Sequence, residues 1–158
     1  MTSSPTVTVE QVDAATTYPL RGRLLRPGGP VEFPGDDDPA TVHLAARVVG
    51  GAGDGRVVGV ARLHPAACPW PEGQAAQAPW QLRGMATDER VRGLGAGRAL
   101  IVDGLTRVAA AGGDLVWCHA RVAAVGFYER IGFRVVTGEY DVPTVGPHLG
   151  MLVGLPLS

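Results

Sequence analysis

Lysine is absent from this chain of 158 residues, and all fourteen basic residues are arginine. Together with the 23 glycines, the absence of lysine indicates a coding bias rather than a function. It also means that no lysine side chain is available for self-acetylation. Neither sign of charge dominates, because the formal net charge is −1. The composition therefore predicts no nucleic-acid partner and no attraction to an anionic membrane.

Cysteine is scarce as well. The two cysteines, Cys68 and Cys118, do not make a disulfide framework, and we expect Cys118 to be a small buried hydrophobe in a core strand. We expect no metal site. The sequence also lacks a signal pattern and an apolar run of about 18 residues. We therefore expect a protein of the reducing cytoplasm with no membrane partner.

The rest of the composition is that of an ordinary globular domain, with 46% hydrophobic and 18% charged residues. The length suits one domain with a proper core, and neither a repeat nor a linker divides it. We therefore expect a single domain over residues 1–158.

The hydrophobic periodicity predicts a mixed α/β fold with six to seven strands. A strand–helix–strand unit at residues 80–120 predicts two parallel strands with a right-handed connection, whereas the earlier strands form antiparallel hairpins. We expect a mostly antiparallel sheet with helices on both faces. The strands are expected at residues 7–10, 41–49, 56–64, 80–87, 114–120, 133–137 and 150–155, and the helices at 13–25, 95–111 and about 121–130.

The stretch at residues 90–98 reads RVRGLGAGR and lies between a predicted strand and a predicted helix. Free backbone N–H groups at a helix N-terminus, together with the helix dipole, bind phosphate or pyrophosphate. Glycine lets the backbone approach such an anion without a Cβ in the way. Arg92 and Arg98 add positive charge. The stretch therefore predicts a phosphate-binding loop.

Two common phosphate-binding motifs do not fit this loop. A dinucleotide site needs G-x-G-x-x-G and an acidic residue at the end of the next strand, but Asp114 begins that strand. A P-loop ends in Gly-Lys-Ser/Thr, whereas this loop ends Gly97-Arg98-Ala99. A nucleotide-binding protein of another family is therefore disfavoured.

A third motif fits better. Arg90-x-x-Gly93-x-Gly95 resembles the Q/R-x-x-G-x-G/A signature of the GNAT superfamily of N-acetyltransferases. Residues 115–118 (LVWC) are similar to the fifth strand of that family, and residues 124–133 (AVGFYERIGF) to its A-x-x-F-Y-E-R-x-G-F segment. The resemblance covers roughly residues 80–137. It implies the GNAT fold, in which strands four and five splay apart and admit the cofactor.

The cofactor implied by the resemblance is acetyl-CoA, with its pyrophosphate in the glycine loop and its pantetheine arm along strand four. Gly84 is a candidate bulge in that strand, and a bulge leaves an N–H free to polarise a carbonyl oxygen. The expected cofactor-binding residues are Met85, Ala86, Thr87, Arg92, Gly93, Leu94, Gly95, Ala96, Gly97 and Arg98.

Tyr128 matches the family tyrosine that lies by the cofactor sulfur, so the resemblance implies that it protonates the thiolate. We expect Phe127 to be the core residue of the pair. The family's asparagine, seven residues before this tyrosine, is replaced by Arg121, and its role is not carried over.

The general base is left open. His119 at the end of strand five is our catalytic candidate. The alternatives are His148, Glu139 and Asp141, which are expected near the acceptor side. Water is a further alternative, because the amine need only lose a proton before it attacks. His43 and His64 are expected to make ordinary hydrogen bonds.

The acidic run Asp36-Asp37-Asp38 is interpreted first as a solvated turn. The alternatives are a negative lip that attracts a cationic amine and, less favoured, a metal site.

Taken together, these features predict an N-acetyltransferase that moves an acetyl group directly from acetyl-CoA to a primary amine of a small molecule or peptide. The alternative is an acyl-CoA-binding sensor or regulatory module without turnover. The resemblance makes a homodimer possible.

Overall fold

The computed structural model describes residues 4–51, 55–91 and 93–157. This part of the chain contains eight strands, three α-helices and three short 3₁₀ turns. The strands are β1 (Thr6–Val12), β2 (Val42–Val49), β3 (Val57–Pro65), β4 (Pro79–Thr87), β5 (Leu115–Arg121), β6 (Arg134–Val135), β7 (Tyr140–Val142) and β8 (Gly146–Gly154); the helices are α1 (Ala14–Leu24), α2 (Ala96–Ala110) and α3 (Val125–Ile131); the 3₁₀ turns are Pro71–Gly73, Glu89–Val91 and Val122–Ala124.

The strands form one sheet in the order β1-β2-β3-β4-β5-β8-β6, and β7 pairs with β8. The pairs β1–β2, β2–β3, β5–β8, β6–β8 and β7–β8 are antiparallel, and β4–β5 is parallel. The parallel ladder consists of three residue pairs and ends at Gln81 and Trp117, although both strands continue. This arrangement confirms the predicted mixed sheet with a parallel β4–β5 pair.

The sheet has one strand more than the largest number expected. Residues 140–142 were expected to be loop, but they form β7 and pair with the start of β8, which begins at Gly146 rather than at residue 150. Thr144 turns this hairpin with a φ of 66°, a left-handed conformation for a residue that carries a side chain. A three-residue strand is too short to show an alternation in the sequence, and a threonine turn gives no glycine signal.

The predicted third helix and sixth strand are shorter in the structure. A 3₁₀ turn precedes α3, so the helix begins at Val125 rather than near residue 121. Gly132, with a φ of 127°, ends it, and β6 has two residues instead of five. Val136 N donates to Gly150 O, so the chain still follows β8 beyond β6.

The described residues divide into two compact units. The first unit covers residues up to 63 and 84–104, and it contains β1, β2, most of β3 and the first part of α2. Asp13 begins α1 by accepting a hydrogen bond from Thr16 N at 3.0 Å. A Cβ at Gly59 would lie 2.8 Å from Leu100, and one at Gly104 would lie 2.8 Å from Leu63, so these glycines allow α2 to pack closely on the strands.

The second unit covers residues 64–83 and 105–157. Its apolar cluster is formed by Cys68, Leu115, Trp117 and Leu152. Asp114 accepts hydrogen bonds from Gln77 N and Ala78 N, which fixes the chain just before β4. Cys118 is buried as expected, and burial raises the pKa of its thiol to about 12. Within the described residues, no helix has the length and apolar character needed to cross a membrane.

Candidate active site

The glycine loop lies in the first unit, between the end of β4 and the start of α2. Gly93 and Gly95 have φ angles of 95° and 74°, which residues with a side chain rarely adopt. A Cβ at either position would have no heavy atom within 4 Å, so the space beside both residues is open. The loop therefore has the shape that sequence analysis predicted for it, and Arg92 lies outside the described residues.

The start of α2 supplies hydrogen-bond donors at the same place. The N–H of Ala99 donates to Gly95 O at 2.9 Å and thereby begins the helical pattern. The N–H groups of Ala96, Gly97 and Arg98 precede this bond, so the helix offers them no acceptor of its own. Arg98 is exposed. Open left-handed glycines, a helix N-terminus and an exposed arginine together fit the pyrophosphate of a coenzyme A molecule.

Asp88 fixes the chain that leads into the loop, and sequence analysis missed it. Its buried carboxylate accepts hydrogen bonds from Arg90 Nη2 at 2.7 Å and from Arg23 Nη2 at 3.1 Å. The hydrogen bonds from Arg90 are the largest cause that holds the pKa of Asp88 well below its usual range. The side chain of Arg90, the first residue of the signature, therefore orders the loop entrance. The Asp-x-Arg spacing was the available signal.

The end of β4 contains the other expected cofactor contacts. Gly84 has a φ of 66°, so the strand is locally distorted at the position where the bulge was predicted. A Cβ there would lie 2.9 Å from Phe33 Cε2, which leaves no room for a side chain. Ala86 is buried, whereas Met85 and Thr87 are half-buried. The structure thus shows the distortion, and the carbonyl-polarising role of the following N–H groups stays a prediction.

The acidic run is not a solvated turn throughout, so that interpretation is wrong for Asp36. Asp36 is buried, and its carboxylate accepts from Arg21 Nη1 at 2.8 Å and from Phe33 N at 2.8 Å. Arg62 Nε lies 3.0 Å from the same carboxylate. The arginines come from α1 and β3, which the local sequence gives no reason to connect with this loop. Only Asp37 and Asp38 are exposed, and Asp36 is not available as part of an acidic lip.

Tyr128 lies in the second unit and is more deeply buried than expected. It is 7% exposed and packs between Phe127 and Phe133, whose ring centroids lie 5.2 and 5.3 Å away. Phe127 is only half-buried, so the expectation that Phe127 is the core residue of the pair is wrong. The α-helical part has seven residues, too few for periodicity to identify its buried face.

Burial also decides the protonation state of Tyr128. It raises the pKa of the phenol well above its usual value, so the hydroxyl keeps its proton at neutral pH. Within the described part of the chain, this hydroxyl makes no hydrogen bond. The phenol proton of Tyr128 therefore has no acceptor among the described residues.

His119 is exposed on β5 and is surrounded by aromatic rings. Its Nδ1 lies 2.6 Å from the hydroxyl oxygen of Tyr140, and the rings of Trp70 and Trp117 stand edge-on to it at 5.4 and 5.5 Å. Desolvation, followed by the charges of His148 and Arg83, lowers the pKa of His119. Sequence analysis missed Trp70 and Tyr140 as neighbours, because they come from a proline-rich loop and an unpredicted strand.

The other candidate bases differ in how far they are exposed. His148 pairs with Arg121 across β5 and β8, as the expected strand neighbourhood requires, but it is 5% exposed. Its Nδ1 donates to Gly146 O at 2.8 Å, and its ring stacks on Tyr140. Glu139 and Asp141 are exposed in the chain that flanks Tyr140.

The comparisons with known proteins agree with this geometry. A protein-family model described as the acetyltransferase (GNAT) domain matches residues 45–145. The chain is 32% identical over 153 residues to the uncharacterized N-acetyltransferase YitI of Bacillus subtilis (strain 168), a match that covers 95% of this chain and 97% of YitI.

Two solved structures show the same fold. The ribosomal-protein-S18-alanine N-acetyltransferase of Escherichia coli is similar with a TM-score of 0.70 at 17% identity, covering 96% of both chains. An aminoglycoside 6'-N-acetyltransferase complexed with coenzyme A is similar with a TM-score of 0.68 at 13% identity, covering 96% of this chain and 98% of that one.

The chain belongs to the GNAT family of acetyltransferases. It is an N-acetyltransferase that acts on amine substrates and takes its acetyl group from acetyl-CoA. The predicted family, enzyme class and cofactor are thereby confirmed.

Proposed function

We propose that the enzyme transfers the acetyl group directly to a primary amine of a small molecule or peptide, with the glycine loop as the pyrophosphate site. Acetyl-CoA supplies the activated thioester. The observation that carries this assignment is the open pair Gly93 and Gly95 in front of the N–H groups of Ala96, Gly97 and Arg98, to which α2 offers no acceptor. Leu94 lies between the two glycines, and Arg92 completes the proposed set.

The end of β4 is proposed to hold the reacting carbonyl. The distortion at Gly84 turns the strand before Met85, Ala86 and Thr87. An N–H released from the regular ladder in this stretch donates to the carbonyl oxygen and stabilises the negative charge that develops there. This role supports direct transfer, because no nucleophilic side chain has to form an acyl intermediate.

Tyr128 is proposed as the general acid. The bond from the amine nitrogen to the acetyl carbon forms, the carbon–sulfur bond breaks, and the leaving thiolate takes the phenol proton. The raised pKa of Tyr128 keeps that proton in place until a thiolate is generated. A thiolate in apolar surroundings also has a raised proton affinity, which offsets the weak acidity of the phenol.

His119 is proposed as the general base that takes the proton from the acceptor amine. It is exposed, and its lowered pKa keeps the imidazole neutral at physiological pH. His148 is the poorer base, because it is buried and one of its ring nitrogens is held by a backbone carbonyl.

Ligand-dependent thermal unfolding tests the loop. Acetyl-CoA at 100 times its dissociation constant stabilises by about 2.7 kcal/mol, which moves the midpoint by several degrees in a domain of this size. We expect a shift with acetyl-CoA and desulfo-CoA, and none with NADH or ATP–Mg²⁺. A shift with NADH or ATP–Mg²⁺ alone would contradict the assignment of the loop.

Replacing Tyr128 by phenylalanine tests the mechanism. We expect turnover to fall at least tenfold, about 1.4 kcal/mol in the barrier, while thermal unfolding stays cooperative. Thiol release from acetyl-CoA with a panel of primary amines is the assay. Full acetyl-CoA binding without thiol release from the wild type for any amine would instead favour a binding module without turnover.

A further inference from the structure

Three strands of the second unit bring His119 and Tyr140 together. On β8, Gly150 is the partner of His119 from β5, and His148 is the partner of Tyr140 from β7. Residues two apart on a strand face the same side of a sheet, so His119 and Tyr140 reach each other across β8 on one face. The contact between His119 Nδ1 and the Tyr140 hydroxyl oxygen is 2.6 Å long.

Gly150 makes this meeting possible. A Cβ at position 150 would lie 2.6 Å from Trp70 Cζ2 and 2.6 Å from Thr137 Cγ2. The indole of Trp70 therefore occupies the space that any larger residue would need. Trp70 and Trp117 stand at 80° and 84° to the imidazole plane, so His119 is held by two indoles and one hydrogen bond.

We propose that Tyr140 is a positioning residue for His119: its phenol oxygen accepts a hydrogen bond from Nδ1–H and leaves the lone pair of Nε2 to take the proton of the acceptor amine. This inference rests on the proposed role of His119 as the base. The two tryptophans keep the ring at the angle that this hydrogen bond requires.

The direction of this hydrogen bond, from Nδ1–H to the phenol oxygen, matters when His119 takes up a proton. A neutral imidazole has one N–H and one lone pair, and an imidazolium has two N–H donors. With Nδ1–H on the phenol oxygen, proton uptake at Nε2 needs no rearrangement and turns the existing bond into a stronger, charge-assisted one. The phenol stays un-ionised, since burial raises the pKa of Tyr140 to about 12.

Several other groups act on this pair from the surrounding strands. His148 on β8 and Arg83 on β4 both oppose a positive charge on His119, and Cys118 on β5 opposes ionisation of Tyr140. Glu139 and Asp141 flank Tyr140 and are exposed. In this proposal the phenol oxygen favours the imidazolium, whereas desolvation, His148 and Arg83 disfavour it.

The pH dependence of kcat/KM in Tyr140→Phe tests the proposal. Without the acceptor oxygen the imidazolium is less stable, so the pKa of His119 falls and the acidic limb of the profile moves to lower pH. We also expect the plateau to fall about tenfold, mainly in kcat, because the tautomer is no longer imposed. A limb that stays in place, or that moves to higher pH as a phenol donating to Nδ1 would require, overturns the proposal.

Nitrogen-15 NMR of the imidazoles provides a readout that needs no activity. In the wild type we expect Nδ1 to be protonated and Nε2 unprotonated above the pKa of His119, and we expect a mixture in Tyr140→Phe. His119→Gln assigns the signal, and Tyr18→Phe in the first unit is the matched control, which should leave the signal unchanged. An Nε2–H tautomer in the wild type overturns the proposal.

The two measurements separate the two hypotheses. An Nδ1–H tautomer that is lost in Tyr140→Phe, in a wild-type enzyme whose turnover does not depend on His119, would confirm the polarity of the bond and contradict the role of His119 as the base. Dependence on His119 with an Nε2–H tautomer would do the reverse.

Discussion

His43 in the first unit and His119 in the second are both histidines on central strands, but their surroundings differ completely. His43 is 4% exposed; its Nε2 lies 2.9 Å from Asp36 O, and its Nδ1 has a long contact of 3.5 Å with Arg21 Nη2. A carbonyl can only accept and a guanidinium can only donate, so Nε2 carries the proton of His43 and both nitrogens are engaged.

His119 is exposed and has one nitrogen engaged by a hydroxyl, which can donate or accept. Among the described residues, its Nε2 has no partner. The comparison teaches that a histidine is available for chemistry when one ring nitrogen is fixed and the other is open, and that it serves structure when both are used.

The largest effect on stability is expected in the buried ion cluster of Asp36, Arg21 and Arg62, which His43 contacts. Asp36→Asn removes the negative charge of the carboxylate that contacts both Arg21 and Arg62, which are each 1% exposed in their side chains. Removing the anion from a buried ion pair costs about 3–5 kcal/mol. Chemical unfolding measures this loss, with exposed Asp37→Asn as the control at about 0.5 kcal/mol or less. Equal effects of the two variants would show that the cluster does not stabilise the fold.

The next largest effects are expected on replacing the two histidines, which tests the comparison directly. We expect His119→Gln to lower kcat/KM about 100-fold and to leave the unfolding midpoint almost unchanged, because an exposed base is lost. His43→Gln should lower the free energy of unfolding by about 1–3 kcal/mol, because Asp36 O and Arg21 Nη2 lose their buried partner. Steady-state kinetics and urea unfolding of both variants test this. Loss of stability in His119→Gln, with activity retained, would reverse the assignment.

A smaller effect is expected at Asp88, where a buried carboxylate meets exposed arginines. The side chains of Arg90 and Arg23 are 63% and 49% exposed, so we expect Asp88→Asn to cost only about 1 kcal/mol of stability. The KM for acetyl-CoA should rise severalfold, since the entrance of the loop is less ordered. Glu89→Gln, an exposed neighbour, is the control.

The contribution of Asp88 has a defined pH dependence. Its pKa is lowered in the folded protein, so its stabilising effect is fully present above the unfolded value of about 3.9 and is lost as the pH falls through the folded value. The difference in unfolding free energy between the wild type and Asp88→Asn should therefore persist at pH 6 to 8 and shrink below about pH 4. A difference that grows in acid would contradict this interpretation.

Much of the scaffold could be predicted from the sequence, because its signals are local. The strand before the loop, the helix after it and the parallel β4–β5 pair lie close to where periodicity and connection length place them. The short hairpin of β7 and β8 could not be predicted in the same way. It depends on a threonine in a left-handed turn, and its stability comes from pairing rather than from any pattern within its three residues.

The candidate site could be predicted only where its signals are local. Tyr128 was predicted as a site residue from a motif, and its role stays a prediction. Burial was wrongly assigned to Phe127, since seven helical residues do not define a face. His119 was predicted as a candidate from its place at the end of a core strand. Its partner Tyr140 was not, because the hydrogen bond joins residues 21 positions apart through an intervening strand.

The sequence by itself determined the glycine loop, because the left-handed backbone at Gly93 and Gly95 is a local property that glycine supplies wherever it stands. Only the tertiary structure decided which histidine is open and which aspartate is buried. Asp36 meets Arg62 because a loop packs on β3, and His119 meets Tyr140 through strand pairing. The free energy of a charge or an imidazole depends on the groups that the fold brings around it.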